Sequence, residues 1–253
     1  MNALLTGTQQ TAQAAERYLQ SCGWEVTCLP LITTVSLPRE TWSNALLAAI
    51  RSDPYGYCVV TSKRAAEDLS RFCTEHALPE GWSIMAVGSQ TGHALHAPGM
   101  HITVIPNHST AAASLTGALQ DLSQSTVLLI GARLMDKGLA DAVQSRGGKP
   151  VHIVTYDTIT PESSRETLAT WTSRTFDLGI FWSASAARSF TESAHADRAP
   201  RIDTVVALGE KAAVPLRSYS SSIHVPASPD IKSLLTLLAQ FTHTNPSTLK
   251  EHV

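Results

Sequence analysis

Leu4-Leu5-Thr6-Gly7 and Leu128-Leu129-Ile130-Gly131 stand 124 positions apart, and the match continues beyond them. At the same offset Gln20-Ser21-Cys22-Gly23 meets Gln144-Ser145-Arg146-Gly147, and Thr34 meets Thr158. In each copy an apolar run, a helical stretch and a glycine precede a second run. That glycine suits the left-handed position after a helix. A second pair of blocks repeats at 121 positions. Thr61-Ser62 with Ala65-Ala66 matches Trp182-Ser183 with Ala186-Ala187, and Ala86-Val87-Gly88 matches Ala207-Leu208-Gly209. Four matching blocks at two near-equal offsets, with Thr34 and Thr158 besides, indicate an internal duplication, with about 120 residues in each unit.

Around these blocks, short β-type runs alternate with longer helical ones. Ala3–Thr6, Glu25–Leu31, Tyr57–Thr61, Ile84–Val87, Ile102–Ile105, Val127–Ile130, Val151–Thr155, Leu178–Trp182, Thr204–Ala207 and Ile223–Val225 read as strands. Most are nearly continuous apolar runs, as expected of strands covered on both faces. Thr11–Cys22, Ala65–His76, Ala111–Leu122, Leu134–Ser145 and Ala186–Ala194 are the clearest helices. This alternation predicts two similar α/β lobes with parallel sheets and right-handed βαβ units. Two lobes imply a cleft between them, and such folds bind ligands at the C-terminal ends of their strands. The polar tail from about Thr242 to Val253 is expected to fray.

The chain has 253 residues, is 43% hydrophobic and 16% charged, and carries a net charge of −2. With no basic run, a broad phosphate-neutralising surface is excluded, and so is nucleic acid as the expected partner. No apolar stretch approaches the ~20 residues that a membrane span needs. Met1–Thr6 has no positive charge before its apolar part and reads as a strand rather than a signal peptide. Cys22, Cys28, Cys58 and Cys73 form no C-x-x-C pair and no disulfide framework, so a reduced, cytoplasmic protein is expected.

Several strand ends meet a helix start: Thr6-Gly7-Thr8, Thr61-Ser62, Gly88-Ser89-Gln90-Thr91, Ser183-Ala184-Ser185 and Gly209-Glu210-Lys211. A helix N-terminus offers free amides and the positive end of a dipole, which suits carboxylate or phosphate. At any one of these sites, ordinary capping by Ser or Thr is the more frequent reason; several facing one cleft would favour a polyanionic ligand. Neither a G-x-x-x-x-G-K-[ST] loop nor a G-x-G-x-x-G turn opens a helix, so nucleotide cofactors are disfavoured. His93, His96 and His101 lack a completing carboxylate, and no metal is expected. No G-x-S-x-G elbow exists. Tyr156 ends the Val151–Thr155 strand, just before a crossing over Asp157 to Pro161, where a tyrosine is usually rim packing. Arg133, Lys137, Lys63, Arg64 and Lys211 fit a solvated helix face at least as well as an anion site.

In order and spacing these motifs resemble the uroporphyrinogen-III synthase family. The resemblance runs from Leu4–Thr6, Gly23 and Pro30-Leu31-Ile32 through Val59-Val60-Thr61-Ser62 and Ala86-Val87-Gly88 with Thr91. It continues through Leu128–Ile130 and Val154-Thr155-Tyr156 to Trp182-Ser183 and Leu208-Gly209, about 230 residues in all. It implies a flavodoxin-like pair of lobes joined by two strands. The first domain would take residues 1–34 plus 160–253, and the second 38–155. It further implies a cofactor-free reaction on hydroxymethylbilane, a linear tetrapyrrole with eight carboxylates. Loss of the terminal hydroxyl as water leaves an azafulvene, which the substituted carbon of the last ring attacks. The resulting spiro intermediate fragments and recloses with that ring inverted. Holding the substrate folded is then much of the catalysis.

Tyr156 matches the family tyrosine thought to assist hydroxyl loss; a phenol with pKa about 10 keeps its proton at neutral pH and can donate it. Thr6, Thr61, Ser62, Ser89, Thr91, Lys137, Ser183, Ser185 and Lys211 are the candidate substrate contacts. The chain departs from the family at Gly7 and Gly131, where arginine often stands, and at Lys211-Ala212, where a Thr-Thr pair is common. Lys137 and Lys211 are the candidate replacements. The alternative reading is a catalytically inactive two-lobed relative that binds a tetrapyrrole or another small polyanion. A monomer is the default, and the resemblance implies coupling to the deaminase that makes the bilane.

Overall fold

The computed structural model describes residues 1–97, 99–106, 111–118, 122–123, 125–193 and 200–242. The tail beyond Thr242, residues 119–121 of the helix expected over Ala111–Leu122, and the last residue of Ala186–Ala194 lie outside them.

The chain forms two compact units, Met1–Thr33 with Ile159–Val253, and Thr34–Thr158. It opens in unit one with Asn2–Leu5 (β1), Gln9–Ser21 (α1) and Glu25–Cys28 (β2). Thr33–Ser36 (β3) carries it into unit two. There follow Arg39–Ser52 (α2), Gly56–Val60 (β4), Lys63–Glu75 (α3), Trp82–Val87 (β5), Ser89–His93 (α4), Ile102–Ile105 (β6), Ala111–Ala118 (α5), Thr126–Ala132 (β7) and Lys137–Gln144 (α6). Lys149–Ile159 (β8) returns it to unit one. Glu162–Thr170 (α7), Thr175–Phe181 (β9), Ala184–Ser193 (α8), Arg201–Ala207 (β10), Glu210–Leu216 (α9), Ile223–His224 (β11) and Ile231–Thr242 (α10) complete it.

The unit-one sheet runs β11-β10-β9-β1-β2 and the unit-two sheet β3-β8-β7-β4-β5-β6. Pairings along β2-β1-β9-β10-β11 and β8-β7-β4-β5-β6 are parallel. Numbered within each unit, starting at β1 and at β7, both give 2-1-3-4-5, the doubly wound flavodoxin-like order. The fold class read from the sequence is therefore the one observed. The duplication holds at the level of register. Asn2 opposite Glu25 becomes Thr126 opposite Lys149 on adding 124. Leu178 opposite Ala3 becomes Tyr57 opposite Val127. Val205 opposite Ile223 becomes Ile84 opposite Ile102 on subtracting 121.

The helix ends repeat too. After α1, Gly23 N–H donates to Gln20 O and Trp24 N–H to Leu19 O, both at 3.0 Å. After α6, Gly147 N–H donates to Gln144 O at 2.9 Å and Gly148 N–H to Val143 O at 3.1 Å. This is the Schellman pair of bonds, and it needs a left-handed residue: Gly23 and Gly147 both have φ of 79°. Each sheet is buried on both faces, which explains the nearly unbroken apolar runs. In unit two Cys58, Val60, Leu128, Ile130 and Ile153 face α3, while Val59, Val127 and Leu129 pack with Leu139 and Val143 of α6. In unit one Leu4, Phe181 and Val205 form one core and Ala3, Leu5, Ile180 and Val206 the other. The helix expected over Leu134–Ser145 starts at Lys137 because Asp136 caps it, its carboxylate accepting from Gly138 N–H at 3.0 Å. β8 runs past Thr155 through Tyr156 to Ile159.

Candidate active site

Because their strands are parallel, the ends of β4, β5, β7 and β8 share one edge of the unit-two sheet, with the switch in winding between β7 and β4. Ser62 follows β4 and caps α3: its Oγ accepts from Ala65 N–H at 3.2 Å. The same Oγ lies 3.1 Å from Tyr156 Oη. The capping bond occupies a lone pair of Ser62 and leaves its hydroxyl hydrogen free. If that hydrogen points to Tyr156 Oη, the phenol hydrogen is left for another acceptor.

Tyr156 reaches Ser62 through a β-bulge. Gly131 pairs with Val154, but Ala132 pairs with Tyr156, so Thr155 is an extra residue in β8. Alternation from Ile153, which faces α3, would turn Tyr156 away. The inserted residue brings it back, and Tyr156 packs half-buried against the core that holds Ile153. The bulge is tied on both sides: Leu37 N–H donates to Thr155 O at 2.9 Å and Arg133 N–H to Tyr156 O at 3.0 Å. Thr155 is 1% exposed, and its Oγ1 has no hydrogen-bond partner among the described residues. The next residue, Asp157, accepts from Arg133 Nε at 2.7 Å and from Thr158 N–H at 2.8 Å.

Elsewhere on this edge Thr61 is half-buried beside Ser62. Gly88 holds φ of 87°, a left-handed turn that lets α4 begin at once, with Ser89 exposed on its first residue and Thr91 buried inside it. Lys137 is exposed at the first residue of α6. Arg64 is not on an open helix face: its Nε lies 3.4 Å from the buried Asp68 Oδ2, and its Nη2 donates to Oγ of Ser36, the last residue of β3. Of the unit-two candidates, the described hydrogen bonds join only Ser62 with Tyr156.

In unit one Thr6 is fully buried, and its hydroxyl donates to Ile180 O at 2.8 Å, a cross-strand bond inside the sheet. Ser183 caps α8, accepting from Ala186 N–H at 3.1 Å, the counterpart of the Ser62 cap. Ser185 is half-buried on the first turn, and Lys211 is exposed beside Glu210, which pairs with Arg217. At Gly7 an added Cβ would come within 2.6 Å of Thr11 Oγ1 and 3.0 Å of the Trp182 ring, so the indole fills the space a side chain would need. At Gly131 the nearest atom would be the flexible Met135 Cε, at 3.1 Å. Burial raises the Cys28 and Cys73 thiols to about 11, and raises Cys58 too, so none of these three is poised as a nucleophile. Sequence reasoning missed the bulge and the Arg133–Asp157 pair; a one-residue insertion leaves no mark in an apolar run.

The described residues hold no group of three or more His, Cys, Asp or Glu side chains placed for a metal, and no helix long and apolar enough to cross a membrane. The fold and this edge define a two-unit, doubly wound α/β protein with a hydroxyl–phenol pair at a helix N-terminus. The family model for uroporphyrinogen-III synthase HemD matches residues 13–236, and the chain belongs to that family. The fold is similar to that of a mutant uroporphyrinogen III synthase from the extremely thermophilic bacterium Thermus thermophilus, with a TM-score of 0.68 at 16% identity over 96% of this chain and 98% of that one. A second Thermus thermophilus structure of the synthase gives 0.52 at 15% identity over 96% and 100%. Uroporphyrinogen-III synthetase from Helicobacter pylori gives 0.58 at 14% identity over 95% and 99%. No curated protein matches the chain in sequence.

Proposed function

We propose that this chain is an active uroporphyrinogen-III synthase: a lyase that dehydrates and cyclises hydroxymethylbilane without a cofactor, with Tyr156 as its proton donor. The observation that carries the reading is the 3.1 Å approach of Tyr156 Oη to Ser62 Oγ at the start of α3. The phenol hydrogen passes to the terminal hydroxyl as the carbon–oxygen bond breaks, and water leaves. The adjacent pyrrole nitrogen supplies the electron pair, giving the azafulvene. The substituted carbon of the last ring attacks, the spiro intermediate fragments, and closure occurs at that ring's other end. The proton released in this last step restores the phenol, so the only by-product is water. Ser62 supports the phenolate by donating to it, and its position at a helix N-terminus favours that transient negative charge.

Thr61, Ser89, Thr91 and Lys137 in unit two, and separately Thr6, Ser183, Ser185 and Lys211 in unit one, are proposed to hold substrate carboxylates or to shape the strand ends that do. Free amides at the helix starts supply most of that grip. Thr6 acts through the backbone its hydroxyl holds, at Ile180 O, and the buried Thr91 through its packing inside α4. We take 1–34 with 160–253, and 38–155, as the two functional domains of a cytoplasmic monomer that receives its bilane from the preceding deaminase. Tyr156→Phe tests the donor. It is expected to lower kcat by up to about a hundredfold, the low end of what a lost proton donor costs, because the bilane can also lose its hydroxyl unaided. KM should stay unchanged. An unaltered kcat would remove Tyr156 from the mechanism.

A further inference from the structure

We propose that Asp157 is a positioning residue for ring closure, which with Arg133 pins the β8 bulge that turns the Tyr156 phenol onto Ser62. This rests on the reading of Tyr156 as proton donor. A bulge is one of two ways to pair the end of β8 with β7. In the other, Thr155 would pair with Ala132 and Tyr156 would point to the opposite face, since a slip of one residue reverses every side chain beyond it. Three consecutive residues hold the observed form. Thr155 O takes the Leu37 N–H, Tyr156 O takes the Arg133 N–H, and Asp157 Oδ2 takes Arg133 Nε at 2.7 Å. The first two use backbone alone and are open to any sequence. The third uses two side chains, and the second Asp157 oxygen is itself fixed by Thr158 N–H at 2.8 Å.

The duplication supplies an internal control. Subtracting 124 places Gln9, Ile32 and Thr33 of unit one at the positions of Arg133, Tyr156 and Asp157. At these positions unit one has neither a phenol nor a charged pair, although it keeps the serine cap. The clamp and the group it aims therefore occur together, in one unit, while the cap common to both belongs to the scaffold.

The test is a double-mutant cycle on the full-length protein, reading kcat and KM for uroporphyrinogen III formation from hydroxymethylbilane. Asp157→Asn in the parent should lower kcat about fivefold with KM unchanged, near the most an exposed ion pair can shift a two-state balance. Arg133→Gln, from the side that is 56% exposed, should give the same loss without threatening the fold. In the Tyr156→Phe background Asp157→Asn should have no further effect, because there is no phenol left to aim. An equal loss in both backgrounds, or no loss in the parent while Tyr156→Phe is slow, would overturn the clamp and leave the proton donor standing. A Tyr156→Phe variant as fast as the parent would overturn both.

Discussion

Ser62 and Ser183 occupy equivalent positions and make equivalent bonds, to Ala65 N–H at 3.2 Å and to Ala186 N–H at 3.1 Å. Loss of a serine cap costs about 1 kcal/mol, so Ser62→Ala and Ser183→Ala should each lower stability by that much in urea titrations. Their kinetics should differ. Ser62→Ala leaves Tyr156 without its partner and should lower kcat, whereas Ser183→Ala should act on KM. Identical kinetics for the two would mean that the phenol gains nothing from Ser62. Capping was readable from the sequence, because serine before an Ala-rich helical run is a local signal. The pairing with Tyr156 was not: the two residues are 94 apart in sequence, and only the sheet order brings β8 within two strands of β4.

At the scale of elements, the two helix-closing glycines were the most legible feature. Gly23 and Gly147 share φ of 79° and the same pair of backbone bonds. An alanine there strains the backbone by about 1–2 kcal/mol. Nothing lies within 4 Å of a Cβ built at Gly23, but one at Gly147 would meet Ser123 at 3.3 Å. Gly147→Ala should thus destabilise more than Gly23→Ala, by thermal or urea unfolding; the reverse order would contradict the part given to the Ser123 contact. The crossing strand β3 was illegible for a physical reason: Thr33, Thr34, Val35 and Ser36 are all exposed, so no apolar alternation marks them. The bulge at Thr155 was hidden by the opposite condition. An extra residue shifts which face each side chain takes without changing the composition of the run.

At the scale of the molecule, duplication and topology have different consequences for the two units. Unit two is one continuous stretch, Thr34–Thr158, containing its whole six-stranded sheet except the last residue of β8 and the first of β3. Unit one needs β1 and β2 from the chain's start beside β9, β10 and β11 from its later part. Residues 34–158 expressed alone should unfold cooperatively, while 159–253 alone should not, because β9 would lose β1 and expose a core strand edge. Circular dichroism melts of the two fragments check this; a cooperative melt of 159–253 would contradict it. Offsets of 124 and 121 told which strands are equivalent, but spacing alone cannot say which of them pair. The most direct test of the central claim is to supply the purified protein with freshly made hydroxymethylbilane, oxidise the products and separate the porphyrin isomers. We predict that the type III isomer predominates; only type I, at the rate seen without protein, would contradict the assignment.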